Sequence, residues 1–261
     1  MPLAFDLVDA FTAEPFRGNP AAVYVLPSWH ADDWLQRVAR EMNQSETAFL
    51  VRSSSGFELR WFTPLVEVDL CGHATLASAH SLWERGVVDA DRIAFSTRSG
   101  VLTATRGAGL IELDFPLLPV EPWDAPAELS AAVGVRPIYV GKSRHDCLLE
   151  LATEAEIRSL TPDFTRLAQV ATRGVIVTAR SSDPTFDFVS RFFAPAAGIN
   201  EDPATGSAHC CLADFWQKKL PKSSFRAYQA SPRGGVIHVR VEGTRAILGG
   251  NAVTVARGEL V

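Results

Sequence analysis

Two acidic turns, one in each half of this 261-residue chain, carry side chains suited to moving a proton. Glu46 stands in Asn43-Gln44-Ser45-Glu46-Thr47-Ala48-Phe49-Leu50, where a helical pattern gives way to an apolar strand. A carboxylate among buried neighbours loses hydration, which raises its pKa toward the range useful for general acid–base work. Taken alone, a glutamate at a strand entrance is more economically an ordinary exposed one. In the second half, Glu201-Asp202 precedes Pro203-Ala204-Thr205-Gly206-Ser207-Ala208-His209. An acidic pair ahead of a helix is first of all a capping and dipole device, and only second a place for Asp202 to act on substrate. His73 follows Cys71-Gly72 at a helix start, where the dipole is expected to keep the imidazole neutral. Ser207 is either a donor in a site or a local helix contact.

The helix after Cys71-Gly72 and the helix after Pro203-Ala204 are both expected to begin at a small-residue turn, with Gly72 and Gly206 in those turns. A helix N-terminus presents unpaired N–H groups and a partial positive charge, so it can hold a carboxylate without a cation. The same glycines could equally serve close packing of helix on sheet. His80 lies seven residues beyond His73, a poor metal pair, and His209-Cys210-Cys211 falls inside an apolar helical pattern that favours packing over ligation. The four cysteines (71, 147, 210 and 211) form no C-x-x-C, so no metal site and no disulfide framework is expected. Reduced thiols in a cytoplasmic protein are the simplest expectation. No P-loop, dinucleotide fingerprint or G-x-S-x-G is present, and no cofactor is expected.

The elements that must position these residues repeat. Arg60-Trp61-Phe62-Thr63-Pro64 in the first half corresponds to Arg191-Phe192-Phe193-Ala194-Pro195 in the second, and each leads through small polar residues to an Ala-rich helix. A two-fold repeat this long implies duplicated domains. Strands are predicted over 3–11, 21–26, 46–51 and 57–62, then over 93–95, 101–105 and 110–115. The apolar spacing of Ala31, Trp34, Leu35, Val38, Ala39 and Met42 predicts a helix capped at Ser28. A second helix spans 73–83, dense in Ala, Leu and Ser and so buried on most sides. Pro116, Pro119, Pro122 and Pro126 mark the best linker. Beyond it come strands over 138–140, 147–151, 175–178 and 186–193. A helix opens at Thr153 with Glu156 in capping-box spacing. A long helix covers 204–219, and strands over 236–241 and 252–255 close the chain. The layout is α+β, with domains at 1–117 and 118–261 and a last strand able to pack on the first domain.

Composition narrows the partners. With 47% hydrophobic and 21% charged residues, the chain has the make-up of a globular protein with a sizeable core. A net charge of −5 with scattered basic residues argues against nucleic acid. The first positive charge is Arg17, so no ordinary secretory leader is expected, and no apolar run reaches membrane-spanning length.

With these residues assembled, the chain resembles the PhzF family of phenazine biosynthesis-like proteins, which share the diaminopimelate epimerase fold. The matching stretches are Asp9-Ala10-Phe11, Gly18-Asn19-Pro20-Ala21, Met42 to Thr47, Arg60 to Pro64, Cys71 to Thr75, Glu201 to Ser207 and Gly249-Gly250. The resemblance implies two pseudo-symmetric domains, each a curved mixed sheet or barrel around a central helix, with the active site between them. It implies an isomerase similar to the one acting on trans-2,3-dihydro-3-hydroxyanthranilate, in which a glutamate moves a proton without metal or cofactor. On the matching positions Glu46 is the acid/base, with His73, Asp202 and Ser207 as partners. Asn19, Cys71, Gly72, Thr205 and Gly206 surround a small carboxylate substrate, and relatives are often homodimers. The epimerases of this fold use two opposed cysteines. Here Cys71 resembles the first, but Asp202-Pro203-Ala204 holds none, which disfavours a two-thiol racemase. Two alternatives stand beside the isomerase: a silent small-acid binding or scaffold protein, and an amino-acid epimerase with another second base.

Overall fold

The computed structural model describes residues 2–107 and 109–261. The chain folds as two compact units, one running to Phe115 and including Leu248–Val261, the other Pro116–Ile247. In the first, β1 (Leu3–Ala10) and β2 (Asn19–Leu26) are antiparallel, with Ala10 opposite Asn19. α1 (Asp32–Met42) follows, and Ala22, Tyr24 and Leu26, at period two along β2, join its Leu35, Val38 and Ala39 in one core. The expected apolar stripe is present, but the helix starts after Ala31, with no side-chain cap, rather than at Ser28. Asn43, left-handed at φ 50°, ends α1 by donating its N–H to the Ala39 carbonyl. The chain then re-enters as β3 (Glu46–Ser53), parallel to β2 with Ala21 beside Glu46.

β4 (Gly56–Phe62) returns antiparallel to β3, and β5 (Glu67–Val68) pairs with β4. α2 (Gly72–Glu84) is buried from Gly72 through Ala79 and packs against β1, β2, β3 and the C-terminal strand. A helix apolar all round must be surrounded, as this one is. Two of its hydroxyls are satisfied within the helix: Thr75 Oγ1 donates to the Cys71 carbonyl at 2.5 Å and Ser78 to that of Ala74 at 2.7 Å. β6 (Arg92–Thr97), β7 (Gly100–Gly107) and β8 (Leu110–Pro116) complete this part in antiparallel succession.

The second unit comprises β9 (Glu121–Pro122), α3 (Ala127–Val133), β10 (Tyr139–Lys142), β11 (Asp146–Glu150), α4 (Glu154–Ser159) and α5 (Phe164–Leu167). These lead to β12 (Gly174–Arg180), β13 (Phe188–Ala194), β14 (Ile199–Asp202), α6 (Gly206–Lys219), β15 (Ser224–Gln229) and β16 (Gly235–Glu242). β17 (Arg245–Gly250) brings the chain back to the first unit, where β18 (Ala252–Leu260) lies antiparallel to β1. The capping box at Thr153 is formed, with Thr153 N–H donating to Glu156 and Glu156 N–H to the Thr153 hydroxyl. In the proline-rich passage, Leu117 and Leu118 donate to the carbonyls of Thr244 and Cys210, and Val120 to the Asp214 carboxylate. It is a docked segment rather than a free linker, and the short helix after it escaped the periodicity argument.

The internal repeat is realised in topology. β2 and β3 are parallel, β3 and β4 antiparallel, β4 and β6 parallel, β6 and β7 antiparallel. β11, β12, β13, β15 and β16 pair in the same sequence of senses. The repeated arginines have matching partners. Arg60 binds both oxygens of Glu67 at 2.7 and 2.6 Å and lies over Phe62; Arg191 binds both oxygens of Glu201 at 2.7 and 2.9 Å and lies over Phe193. The architecture is α+β. No helix among the described residues is long and apolar enough to cross a membrane.

Candidate active site

Two strand starts and one helix start converge in the first unit. Because β2 and β3 are parallel neighbours, Asn19 and Glu46, the first residue of each, fall at the same end of the sheet. Gly18 makes the approach to Asn19 possible: at φ +62° it is left-handed, and a Cβ there would stand 2.1 Å from the Ala10 carbonyl oxygen. The central helix α2 brings its first turn to the same place, with Cys71 at the N-cap and His73 just inside.

His73 is the hub. Its Nδ1 lies 3.0 Å from Asn19 Nδ2 and 3.5 Å from Cys71 Sγ, while its Nε2 lies 3.4 Å from Glu46 Oε2. The imidazole is 3% exposed and the Glu46 side chain 14%. The expectation that His73 stays neutral holds, with burial as the cause: desolvation lowers its pKa to about 3. The carboxylate, thiol and imidazole donors lie within 4.8 Å of one another, a spacing that could suit a metal ion. The ring nevertheless turns a different nitrogen to each acidic group, and Asn19 already occupies Nδ1. That arrangement suits proton handling better than gripping a cation.

The second unit builds its own polar cluster around the start of α6. Asp202 ends β14 and is buried; it accepts a 2.5 Å hydrogen bond from Thr205 Oγ1. Gln229, buried at the end of β15, accepts from the Thr205 N–H at 2.8 Å and donates to the Asp202 carbonyl at 2.7 Å. Ser207 Oγ accepts from Arg173 Nη2 at 3.1 Å, and Arg173 is held by both oxygens of the buried Asp146 at 2.8 and 2.5 Å. Neither α2 nor α6 is capped by its own N-cap side chain. Gly72 opens α2, one residue before the expected start at 73, and Gly206 opens α6, two residues after the expected start at 204, because Thr205 is still extended as the N-cap.

His209 and the paired cysteines are core, as expected. His209 Nδ1 meets the Thr205 carbonyl at 2.8 Å, its ring stacks on Phe188, and burial lowers its pKa to about 4 against that hydrogen bond. Cys210 and Cys211 are buried, and burial pushes the Cys211 thiol up to about 12. Sequence reasoning missed Arg173, Asp146 and Gln229. None sits in a recognisable motif, and only strand pairing brings them to Ser207 and Thr205.

A two-unit α+β fold with a central helix in each unit, and a carboxylate–imidazole pair at one helix start, defines the class of isomerase- and epimerase-type folds. The chain matches the family described as phenazine biosynthesis-like protein over residues 8–258, and it belongs to that PhzF family. It is 54% identical to a protein of Halalkalibacterium halodurans named as an uncharacterized isomerase, over 98% of this chain and 97% of that one. Among solved structures, a PhzF-family protein of Enterococcus faecalis superimposes with a TM-score of 0.95 at 43% identity, covering 100% of both chains. A protein of Pseudomonas aeruginosa described as a predicted epimerase shares the fold, with a TM-score of 0.77 at 22% identity over 99% of each chain.

Proposed function

We propose that this protein is a cofactor-independent isomerase that moves a proton on a small carboxylate-bearing substrate, similar to trans-2,3-dihydro-3-hydroxyanthranilate isomerase. The observation that carries the proposal is the half-buried Glu46 carboxylate at 3.4 Å from the imidazole of His73. Glu46 takes a proton from substrate carbon as general base and returns it elsewhere as general acid. His73, neutral because it is desolvated, stabilises the carboxylate without competing for the proton. The α2 amides at Gly72 and His73 favour negative charge on the substrate. Asp202, Thr205, Gly206 and Ser207 are included on the family resemblance.

The N-cap positions argue against a two-thiol racemase. Cys71 holds that position in α2 and Thr205 holds it in α6, so the second half offers a hydroxyl where a second thiol would be needed. A hydroxyl is far too weak an acid to replace it.

The test is solvent deuterium exchange. Incubated in deuterated water with cyclic amino acids and related carboxylic acids, the protein is expected to exchange hydrogen at carbon for at least one of them. Glu46→Gln is expected to lower that rate by about 10²–10⁴-fold, the usual contribution of a positioned acid–base group. An unchanged rate in Glu46→Gln would remove Glu46 from the mechanism. Binding with no exchange would favour a silent carrier, and exchange with racemisation an epimerase.

A further inference from the structure

An imidazole between a carboxamide and a carboxylate has two neutral forms, and they do different chemistry. Here the surroundings select one. Asn19 is fully buried, and its Nδ2, which can only donate, faces His73 Nδ1 at 3.0 Å. The Cys71 thiol, also able to donate, lies 3.5 Å from the same nitrogen. Nδ1 therefore carries the lone pair and the ring proton sits on Nε2, the nitrogen that faces Glu46 Oε2. The opposite assignment needs the Asn19 amide turned so that its oxygen accepts from Nδ1–H, and Nε2 would then point a lone pair at the Glu46 carboxyl oxygen 3.4 Å away.

We infer that Asn19 is a positioning residue that fixes His73 as its Nε2–H tautomer, so that the ring turns an N–H, and not a lone pair, toward Glu46 at 3.4 Å. This deepens the isomerase reading. In that form His73 has no lone pair to offer the substrate on the side of Glu46, so it cannot serve as a second base there. Glu46 is left as the group in this cluster that both takes and returns the proton. Asn19 acts through His73, at the strand start that Gly18 brings to the helix.

The experiment reads the tautomer directly, on resting protein without substrate. In protein labelled with ¹⁵N at histidine, long-range ¹H–¹⁵N correlation spectra are expected to show His73 neutral and protonated at Nε2, without titration between about pH 5 and 8 where free histidine changes charge. A ring protonated at Nδ1, or an imidazolium at neutral pH, would overturn the inference. Asn19→Asp puts an acceptor opposite Nδ1 and is expected to move the proton there or charge the ring. Cys71→Ala is expected to leave the Nε2–H form in place. Persistence of Nε2–H in Asn19→Asp, or its loss in Cys71→Ala, would take the role away from Asn19. Because no turnover is measured, a correct tautomer in a protein that exchanges no carbon-bound hydrogen would sink the isomerase reading and leave this one standing.

Discussion

At the scale of single residues, this protein separates ionisable groups by how deeply it buries them. Glu46 keeps some contact with solvent, whereas His73 and His209 are buried to the point of being held neutral. The thiols follow the same rule. Cys147, Cys210 and Cys211 are buried and unpaired in disulfides, and desolvation pushes the pKa of Cys147 and Cys211 up to about 12. Since the thiolate is the reactive form, these cysteines are expected to resist iodoacetamide in the native protein and to react fully in denaturant. Mass spectrometry of alkylated peptides reads this out, and rapid native labelling of any of the three would contradict the burial. Cys71 differs through its place at the head of α2 and its contact with His73, which the residue type alone does not reveal.

At the scale of elements, each unit uses an arginine to lock the strand before its functional helix. The Arg60–Glu67 and Arg191–Glu201 pairs are bidentate, and each guanidinium lies over the phenylalanine two positions on. A further clamp ties β1, α2 and β18 together. The fully buried Asp6 accepts from Ser81 and Arg85 and faces Arg257. Burial alone would raise the Asp6 pKa, but the bonds from Arg85 and Ser81, with the charges of Arg85 and Arg257, hold it below the usual carboxylate range. The connection between β1 and β2 is left-handed at Phe11, Phe16 and Gly18, and at Gly18 the Ala10 carbonyl leaves no room for a side chain. Gly18→Ala places a methyl against the Ala10 carbonyl at φ +62° and is expected to destabilise by about 1–3 kcal/mol. Urea denaturation measures that loss, and the His73 spectrum of the variant is expected to change as Asn19 shifts. Wild-type stability in Gly18→Ala would show that the hairpin does not need this turn.

At the scale of the whole molecule, the neutral buried histidines make stability depend on pH. Unfolded, each takes a proton near its ordinary value of 6.5; folded, His73 and His209 refuse one down to about 3 and about 4. The unfolded chain therefore binds more protons below pH 6.5, so this contribution is full above that value and is lost as pH falls toward 4. Each histidine should cost about 2 kcal/mol between pH 7 and 5 by this linkage. The carboxylates with lowered pKa, Asp6 and Glu154, lose their contribution only in stronger acid, so the two sources are separable. Urea midpoints at pH 7 and 5 test the expectation, with His209→Gln flattening the difference. Equal midpoints would mean that the rings are charged or exposed.

Period and punctuation in the chain determined the α+β class, the repeat, the two central helices to within two residues of their starts, and the candidacy of Glu46, His73, Asp202 and Ser207. These features are written in neighbouring residues: an apolar stripe, a proline turn, a glycine before a helix. β15 and β17 were not foreseen, nor was the docking of the proline-rich segment, whose partners Thr244 and Cys210 lie far away in sequence. Ser28 failed as a cap for a related reason, since the helix began where Trp34 and Leu35 could be buried and not where a hydroxyl was available. Tertiary structure alone decided that Asn19, placed near the substrate by the family resemblance, would face the ring of His73. It alone decided that burial, not the helix dipole, would set the charge of that ring, because desolvation depends on everything that surrounds a group and sequence order records only what comes before and after it.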